Sequence, residues 1–255
     1  MKDTIIYEQP LNELIRVCLR LEQLFAQIDH QLTDNSPNNS RNIISLIINV
    51  LSVLERPDIK AKLAKELSSL LTSLNRPHPS LELDTETLNK ITQQIEALSH
   101  DFINNNSKIG QRVRDMDMIN ALRLHLANPG GGCNFDLPLY HYWLQQSVKE
   151  RQAVIQNWLG EFASIRSAVE LILFLIRKNT KTEEKSAIHG FYQELLDPHS
   201  NLRMIRIAID KNTHAFPEIS LSRHFLSVRY FAPNLEKRPV QYGDNLSFWL
   251  GYCYI

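Results

Sequence analysis

The sequence predicts an α+β fold in which a multi-helix α-domain is followed by a smaller antiparallel β-domain. From about residue 10 to residue 177, apolar residues recur at the spacing of amphipathic helices. From about residue 188 onwards they alternate with polar residues, as they do in strands. Because helices come first and strands follow, the order is typical of α+β proteins and not of doubly wound sheets. We expect an α-helical domain over residues 1–180 and an antiparallel β-domain over residues 181–255.

The helical part begins after a short extended start. Residues 4–7 are mostly β-branched or aromatic, so residues 1–8 are expected to be extended and to pair with the β-domain. Pro10 then suits a first helical turn. The apolar face of this first helix comprises Leu11, Leu14, Ile15, Cys18, Leu21, Phe25 and Ile28. A second helix, capped by Ser40 and ending at Pro57, is apolar over much of its circumference and should be central in the bundle.

Several more helices complete this part. A third helix starts near residue 58 and ends before Pro77, and a fourth starts at Asp84 or Thr85. Residues 109–126 form one further helical segment. The order Ser-Val-Lys-Glu at residues 147–150 has the spacing of a capping box, and a last long helix covers residues 162–177.

The segment 128–138, here called the glycine corner, interrupts the helical pattern. Three consecutive glycines at 130–132 lie between two prolines. A phosphate-binding loop would need Lys and Ser or Thr after the glycines, and a dinucleotide fold would need a strand before them. Cys133 and Asn134 follow instead, and the preceding segment is helix-like. The glycine corner is therefore expected to be a tight connection between two packed helices.

The β-domain is expected to follow a charged linker over residues 178–185. The predicted strands cover residues 188–192, 202–209, 219–231 and 246–254. In the second of them, one face is expected to carry Arg203, Ile205, Ile207 and Ile209. In the third of them the alternation changes phase near Arg223 and His224, which predicts a β-bulge or a bend.

Composition narrows the class of protein. Lys plus Arg and Asp plus Glu each number 28, so the net charge is zero, which argues against a broad basic surface for nucleic acid. Three cysteines without a CxxC motif indicate a reducing compartment and no disulfide framework. The N-terminus lacks the pattern of a signal peptide, and the longest apolar run, residues 169–176, is too short to span a bilayer. We expect a cytoplasmic protein with no membrane partner.

The sequence contains few patterns typical of catalytic or metal-binding sites. Nine histidines include no HExxH pair and no Cys/His cluster with zinc spacing, so no metal site is expected. His125 and His141 flank the glycine corner, and Cys133 near His141 raises the possibility of a Cys/His nucleophile. Such pairs are defined by folded geometry, and nothing in the local sequence supports this one. A binding protein without catalytic residues is the default expectation.

Several patches of sequence together resemble a known family. In chain order they are Tyr7, Glu8, Gln9, Pro10, Leu11, Asn12, Glu13, Arg16, Leu19, Arg20, Leu21 and Glu22, then Ile109, Gly110 and Gln111, then Pro129, Gly130, Gly131, Cys133, Phe135, Asp136, Leu137, Pro138, His141, Trp143 and Leu144, then Gly190, Phe191, Tyr192 and Gln193. They resemble the ZapD family, Z-ring-associated proteins that bind the bacterial tubulin homologue FtsZ. The resemblance covers nearly the whole chain and is weakest over residues 75–107 and in the last dozen residues.

The resemblance implies a cell division adaptor. Family members are symmetric dimers with an α-helical domain and a smaller β-domain, and they use neither a cofactor nor catalysis. They capture the C-terminal tails of FtsZ in a positively charged pocket, crosslink and bundle FtsZ filaments, and so promote Z-ring assembly and septation. The resemblance thus implies a cytoplasmic protein at the division site, mid-cell, with FtsZ and a second copy of itself as partners.

The resemblance also suggests binding residues. The basic-pocket positions of the family match Arg16, Arg20 and His141. We add Arg114 and Arg123 from their place before the glycine corner, and Arg223 and Arg229 are secondary candidates in the β-domain. Asp117 is a departure, because the family has a basic residue thereabouts, and this makes the expected pocket less positive.

Two other classes of function stay open at this point. An enzyme acting on an anionic small molecule would use His141 and Cys133, and it requires the two side chains to lie within hydrogen-bond reach. A nucleic-acid module would require a continuous basic face, which zero net charge makes the least favoured of the three. An adaptor needs only arginines that can hold carboxylates and two binding sites in each dimer.

Overall fold

The computed structural model describes residues 3–33, 36–56, 58–74, 84–105, 107–126 and 128–254. The chain divides into two compact units. The β unit comprises Met1–Arg16, Thr72–Asp84 and Leu173–Ile255, and the helical unit comprises Val17–Leu71 and Thr85–Ile172. The predicted helix ends at Pro57 and Pro77 lie outside the described residues. The predicted domain boundary near residue 180 stays a prediction.

The described helices are α1 (Glu13–Leu32), α2 (Pro37–Val53), α3 (Ile59–Leu74), α4 (Thr85–Asn104), α5 (Gln111–Arg114), α6 (Asp117–Leu126), α7 (Pro138–Leu144), α8 (Val148–Gly160) and α9 (Ala163–Lys178). The described strands are β1 (Thr4–Pro10), β2 (Thr180–Ala187), β3 (Phe191–Leu195), β4 (Leu202–Asp210), β5 (Phe216–Leu221), β6 (Phe225–Ala232), β7 (Val240–Gln241) and β8 (Leu246–Tyr254). Apart from β1, the α-helices precede the strands, which confirms the predicted α+β class with an N-terminal helical part.

The apolar face predicted for the first helix is largely confirmed. Its residues Leu14, Ile15, Cys18, Leu21, Phe25 and Ile28 are all buried in the structure. Pro10, however, is not in the first helical turn, because it ends β1 and pairs with Met204. The helix begins at Glu13, and the side chain of Asn12 accepts a hydrogen bond from the backbone N–H of Ile15 (2.8 Å). An asparagine is a common residue at this position because its side chain satisfies a first-turn N–H.

The second helix is central, as predicted, but its start is different. Ser36 caps α2 by accepting a hydrogen bond from the backbone N–H of Asn39 (3.2 Å), and Pro37 follows it. Ser40 was predicted to be the cap, but it lies one turn inside α2 and is buried. Its hydroxyl oxygen accepts a hydrogen bond from Nε of Arg151 (3.1 Å). The helix packs against α6, α7 and α8, which explains why it is apolar on several sides.

The glycine corner connects α6 to α7, as predicted. A Cβ atom on Gly131 would lie 1.8 Å from the carbonyl oxygen of His125, so only glycine fits this close approach. The helical segment predicted over residues 109–126 is divided into α5 and α6. The capping box at the start of α8 is confirmed: Ser147 and Glu150 each accept a hydrogen bond from the other's backbone N–H.

The β unit contains two antiparallel sheets that share one hydrophobic core. One sheet has the strand order β1–β4–β8–β2, and the other has the order β3–β6–β5, with β7 pairing with β6. The core includes Ile205, Ile207 and Ile209 from β4, the face predicted from their alternation. The rings of Tyr230 from one sheet and Phe248 from the other lie 5.3 Å apart, which joins the sheets into a sandwich.

Two predictions for the β part are wrong. Residues 178–185, predicted to be a charged linker, largely form β2, which pairs with β8. This strand is at the edge of its sheet, where exposed charges are common because they discourage further strand pairing. The strand predicted over residues 219–231 is instead two strands, because the phase change near Arg223 and His224 is a bend that forms the turn between β5 and β6. In this turn the hydroxyl oxygen of Ser222 accepts a hydrogen bond from the backbone N–H of Phe225 (3.1 Å).

The other predicted strands fit more closely. The strands over residues 202–209 and 246–254 are confirmed as β4 and β8. The strand predicted over residues 188–192 begins only at Phe191, because His189 and Gly190 form a turn with φ of 47° and 68°. Residues with positive φ cannot continue an extended strand, so the start of β3 is delayed.

Candidate functional site

Arg20 and His141 are exposed side chains of the helical unit. Arg20 lies on α1, and His141 lies on α7, which begins at Pro138 directly after the glycine corner. Among the residues that the structure describes, neither side chain has a hydrogen-bond or ion-pair partner. Both are therefore available for a ligand. That they converge on one ligand stays a prediction.

Arg41 is a cation that the sequence analysis missed. It lies on α2, donates a hydrogen bond from Nη2 to the carbonyl oxygen of Gly132 (2.9 Å), and its guanidinium is 6.0 Å from the centre of the Tyr140 ring. Tyr140 is buried, stacks on Trp143 and directly precedes His141, and burial raises its pKa. Arg41 thus fixes the glycine corner and brings positive charge close to α7. No local motif could reveal this contact, because Arg41 and Gly132 are 91 residues apart in the sequence.

Arg114 and Arg123 are brought together by a carboxylate. Glu55 forms an ion pair with Arg123, and its Oε1 lies 3.9 Å from Nη1 of Arg114. Arg114 also donates hydrogen bonds to the carbonyl oxygens of Ile109 (3.2 Å) and Leu51 (2.8 Å), and burial lowers the pKa of its guanidinium. We call Glu55, Arg114 and Arg123 the Glu55 cluster. Its two arginines hold helices together and are less available to a ligand than Arg20.

Asp117, the departure from the family pattern, has a structural role. It is an exposed residue in the first turn of α6. A carboxylate there interacts favourably with the positive end of the helix dipole. The aspartate therefore stabilises α6 locally while lowering the positive charge of the helical unit.

The residues proposed for an enzyme do not form a catalytic pair. The thiol of Cys133 donates to the carbonyl oxygen of Gly130 (3.1 Å), and no hydrogen bond joins it to His141 within the described part of the chain. Nδ1 of His125 lies 3.9 Å from Oδ1 of Asp136, whose other oxygen accepts the backbone N–H of Cys133 (3.3 Å). These contacts organise the glycine corner.

The described residues lack both a metal-binding cluster and a helix able to span a membrane. They contain no group of three or more His, Cys, Asp or Glu side chains arranged to hold a metal ion. Likewise, no helix among them combines the length and the apolar character needed to cross a membrane.

Arg16 and Arg223 line one groove in the β unit. The groove has a volume of about 480 Å³ and lies where the end of β1, the loop between β3 and β4 and the turn between β5 and β6 meet. We call it the sandwich-end groove. Arg16 forms an ion pair with Glu13, whereas Arg223 is exposed and has no partner among the described residues. Arg229 is exposed on β6 opposite Phe191 and Glu218, and it does not line the groove.

A second cavity, of about 420 Å³, lies in the helical unit. Its lining includes the cations Arg56, Lys60, Lys108 and Arg114, together with Glu55. The ammonium of Lys60 donates to the carbonyl oxygens of Asn105 (2.8 Å) and Ser107 and so closes one side. This cavity could not be predicted from the sequence, because its segments are about fifty residues apart and each has the composition of an ordinary solvated stretch.

Comparison with known proteins identifies the family. A family model described as "ZapD: Cell division protein" matches residues 19–229 of the chain. The chain belongs to the ZapD family of cell division proteins. Cell division protein ZapD of Coxiella burnetii (strain RSA 331 / Henzerling II) is 34% identical over 254 residues, which cover 99% of this chain and 98% of the relative. The Methylococcus capsulatus protein of the same name is 34% identical over 253 residues, which cover 99% of this chain and 99% of the relative. The Azoarcus sp. protein is 33% identical over 253 residues, which cover 98% of this chain and 99% of the relative.

Membership of the ZapD family gives the chain a role in cell division and confirms the resemblance noted in the sequence. The family is one of cell division proteins and is not a known enzyme family. The matched range contains every candidate cation except Arg16, which precedes it.

Proposed function

We propose that the protein is a dimeric adaptor that binds the C-terminal tail of FtsZ and crosslinks FtsZ filaments during Z-ring assembly at mid-cell. Membership of the ZapD family supports the cell division part of this proposal. The single structural observation that supports tail binding is Arg20, an exposed guanidinium without a carboxylate partner among the described residues. A guanidinium of this kind can hold a carboxylate of an acidic peptide through two hydrogen bonds.

His141 is proposed as the second contact in the helical unit. It is exposed on α7, and its imidazole has no hydrogen-bond partner in the described part of the chain. When protonated it donates from both ring nitrogens and adds a positive charge. Arg114 and Arg123 stay candidates that can reach a ligand only if Glu55 releases them. Arg16, Arg223 and Arg229 are candidates in the β unit for the same class of ligand.

The proposed adaptor binds FtsZ filaments through several weak sites at once. A site built from a few exposed cations binds a tail weakly and in a salt-dependent way. A homodimer offers two such sites and a filament offers many tails, so avidity strengthens the attachment by roughly 10² to 10⁴. Two sites that engage different filaments would crosslink them without any enzymatic step, cofactor, nucleic acid or membrane.

The decisive experiment reverses the charge of Arg20. We expect Arg20→Glu to weaken binding of an FtsZ C-terminal tail peptide about tenfold or more at low salt, since it replaces attraction by repulsion. It should also abolish co-sedimentation of FtsZ bundles. Wild-type binding should fall when the salt concentration is raised and should vanish with FtsZ that lacks its tail.

The matched control is Lys149→Glu. Lys149 is also exposed in the helical unit and has no partner among the described residues, so this variant changes the net charge by the same amount. It should bind and bundle normally, and both variants should keep the wild-type circular-dichroism melt. Normal bundling by Arg20→Glu would remove Arg20 from the site, and a strictly monomeric particle in sedimentation equilibrium would reject crosslinking by a dimer.

A further inference from the structure

The cavity of about 420 Å³ in the helical unit, here called the helical cavity, is bounded by two segments that hydrogen bonds tie together. Its described lining residues come from the end of α2, the start of α3 and the region of α5, namely residues 54–56, 59, 60, 107–109, 111 and 114. The ammonium of Lys60 donates to the carbonyl oxygen of Ser107, and Arg114 donates to that of Leu51 (2.8 Å). Because these bonds cross between the two segments, the cavity is formed before any ligand arrives, as is usual for binding sites.

The lining of the helical cavity carries a surplus of positive charge. Among the described residues that line it there are four cations, Arg56, Lys60, Lys108 and Arg114, and one carboxylate, Glu55. That carboxylate also forms the ion pair with Arg123, outside the lining, so it is shared between two arginines. The cavity therefore attracts an anion that carries more than one negative charge.

Two ammonium groups reach the same wall of the cavity. Lys60 has three N–H donors and uses two of them for the carbonyl oxygens of Asn105 (2.8 Å) and Ser107, so one donor remains. Ser107 directly precedes Lys108, which is exposed and has no partner among the described residues. A smaller cavity beside this wall contains Asp101, but within the described part of the chain no carboxylate forms an ion pair with either lysine. Ammonium groups of this kind bind phosphate oxygens as point charges.

The rest of the lining includes an aliphatic surface, here called the aliphatic wall, formed by Leu54, Ile59 and Ile109. The first two are only 5% and 6% exposed, and Ile109 is half-buried. No aromatic side chain is present among the described residues that line the cavity. Proteins commonly hold nucleic-acid bases by stacking them on aromatic rings, so this wall suits a short aliphatic group better than a nucleobase.

We propose that the helical cavity binds an organic diphosphate, holding the diphosphate at Lys60 and Lys108 and a short aliphatic group against the aliphatic wall. Arg114 strengthens the attraction, because its side chain is only 13% exposed and a buried cation gains from a nearby anion. A volume of about 420 Å³ lies within the size range of ordinary small-molecule sites. The inference goes beyond the proposed function, because it requires neither FtsZ nor a dimer.

The test titrates the full-length protein with isopentenyl diphosphate at low salt and follows the methyl signals by NMR. We expect a Kd on the order of 0.1–1 mM, with shifts concentrated on the three residues of the aliphatic wall. Inorganic pyrophosphate should bind about fivefold more weakly, because it makes no apolar contact. The alcohol isopentenol, which lacks the charge, should bind at least about tenfold more weakly, and ADP should bind no more tightly than pyrophosphate.

Matched variants localise the site. Lys108→Gln should weaken binding of isopentenyl diphosphate about fivefold. Lys149→Gln should leave binding unchanged, since Lys149 is also exposed and without a partner among the described residues but does not line the cavity. Glu55→Gln should strengthen binding by about threefold, because it removes a carboxylate from the lining. Both lysine variants should keep the wild-type circular-dichroism melt.

Several results would overturn the proposal. They are equal effects of the two lysine variants, no gain from Glu55→Gln, equal binding of isopentenyl diphosphate and pyrophosphate, and no binding up to several millimolar. The Arg20→Glu variant should bind the diphosphate as the wild type does, because Arg20 does not line the cavity. Displacement of the diphosphate by the FtsZ tail peptide would assign the cavity to the tail site and reject a separate ligand.

Discussion

The Glu55 cluster and the sandwich-end groove each contain two arginines from distant segments, yet the two regions offer different chemistry. In the Glu55 cluster one carboxylate serves Arg114 and Arg123, and backbone carbonyls take the remaining donors of Arg114. In the groove, Arg16 is paired with Glu13, whereas Arg223 has no partner among the described residues. The difference teaches that an arginine is available to a ligand where the fold places no carboxylate beside it. The sequence contains the arginines, but tertiary contacts determine which of them have an ion-pair or hydrogen-bond partner.

The strongest test of this comparison concerns Glu8, a carboxylate of the β unit that pairs with two arginines. Arg177 donates to both its oxygens (2.9 and 2.7 Å), and Nε of Arg206 lies 2.9 Å from Oε1. Glu8→Gln would leave two half-buried guanidinium groups without a counter-charge. We expect the free energy of unfolding to fall by about 2 kcal/mol. In thermal denaturation the midpoint should drop by roughly 5 °C.

The control for this prediction is Glu183→Gln. Glu183 lies on the edge strand β2 between Lys181 and Lys185, which lower its pKa to about 2, but it is open to solvent. Solvent screens exposed pairs, so the melting midpoint should not move measurably. If Glu8→Gln also leaves the midpoint unchanged, carboxylates do not distinguish structural arginines from free ones in this protein.

The elements that could be predicted from the sequence are those with a strong local period. The faces of α1 and β4 were predicted correctly because burial repeats along each element. Strand β2 was missed because an edge strand with exposed charges has the composition of a linker. Strands β5 and β6 were predicted as one strand, because a bulge or bend within a strand and a turn between two strands both change the phase of the alternation.

The sequence indicated which residue types belong to the candidate site, but not which of these side chains are available to a ligand. Arg16, Arg20 and His141 were suggested by the resemblance to the family, but their availability depends on partners that the sequence does not show. The partner of Arg123 is Glu55, 68 residues away, and the contact of Arg41 with Gly132 spans 91 residues. Leu11 and Leu196 line the same groove as Arg223 only because the end of β1 and the loop after β3 meet. Contacts of this range are products of tertiary packing, which no local pattern encodes.

A smaller effect is expected from Glu55→Gln, which would release the arginines of the Glu55 cluster. Because Glu55 is half exposed, the free energy of unfolding should fall by only about 0.5–1 kcal/mol, measured by denaturant titration. The affinity for the FtsZ tail peptide should change by less than about twofold if Arg114 and Arg123 are structural. A clear gain in affinity would instead place the two arginines in the tail site. Glu161→Gln, which removes the partner of Arg112 at 3.5 Å, is the matched control.

The smallest change in stability is expected when a free cation is added to the helical unit by Asp117→Arg. Losing the carboxylate from the first turn of α6 should cost about 0.5 kcal/mol through the helix dipole. Affinity for the acidic tail peptide should nevertheless rise by about threefold or more at low salt, and the gain should shrink at high salt. Asp117→Asn separates the two effects, since it loses the dipole interaction but adds no cation. If the arginine variant binds no better than the asparagine variant at low salt, the start of α6 lies outside the reach of the tail, and binding depends on cations elsewhere in the protein.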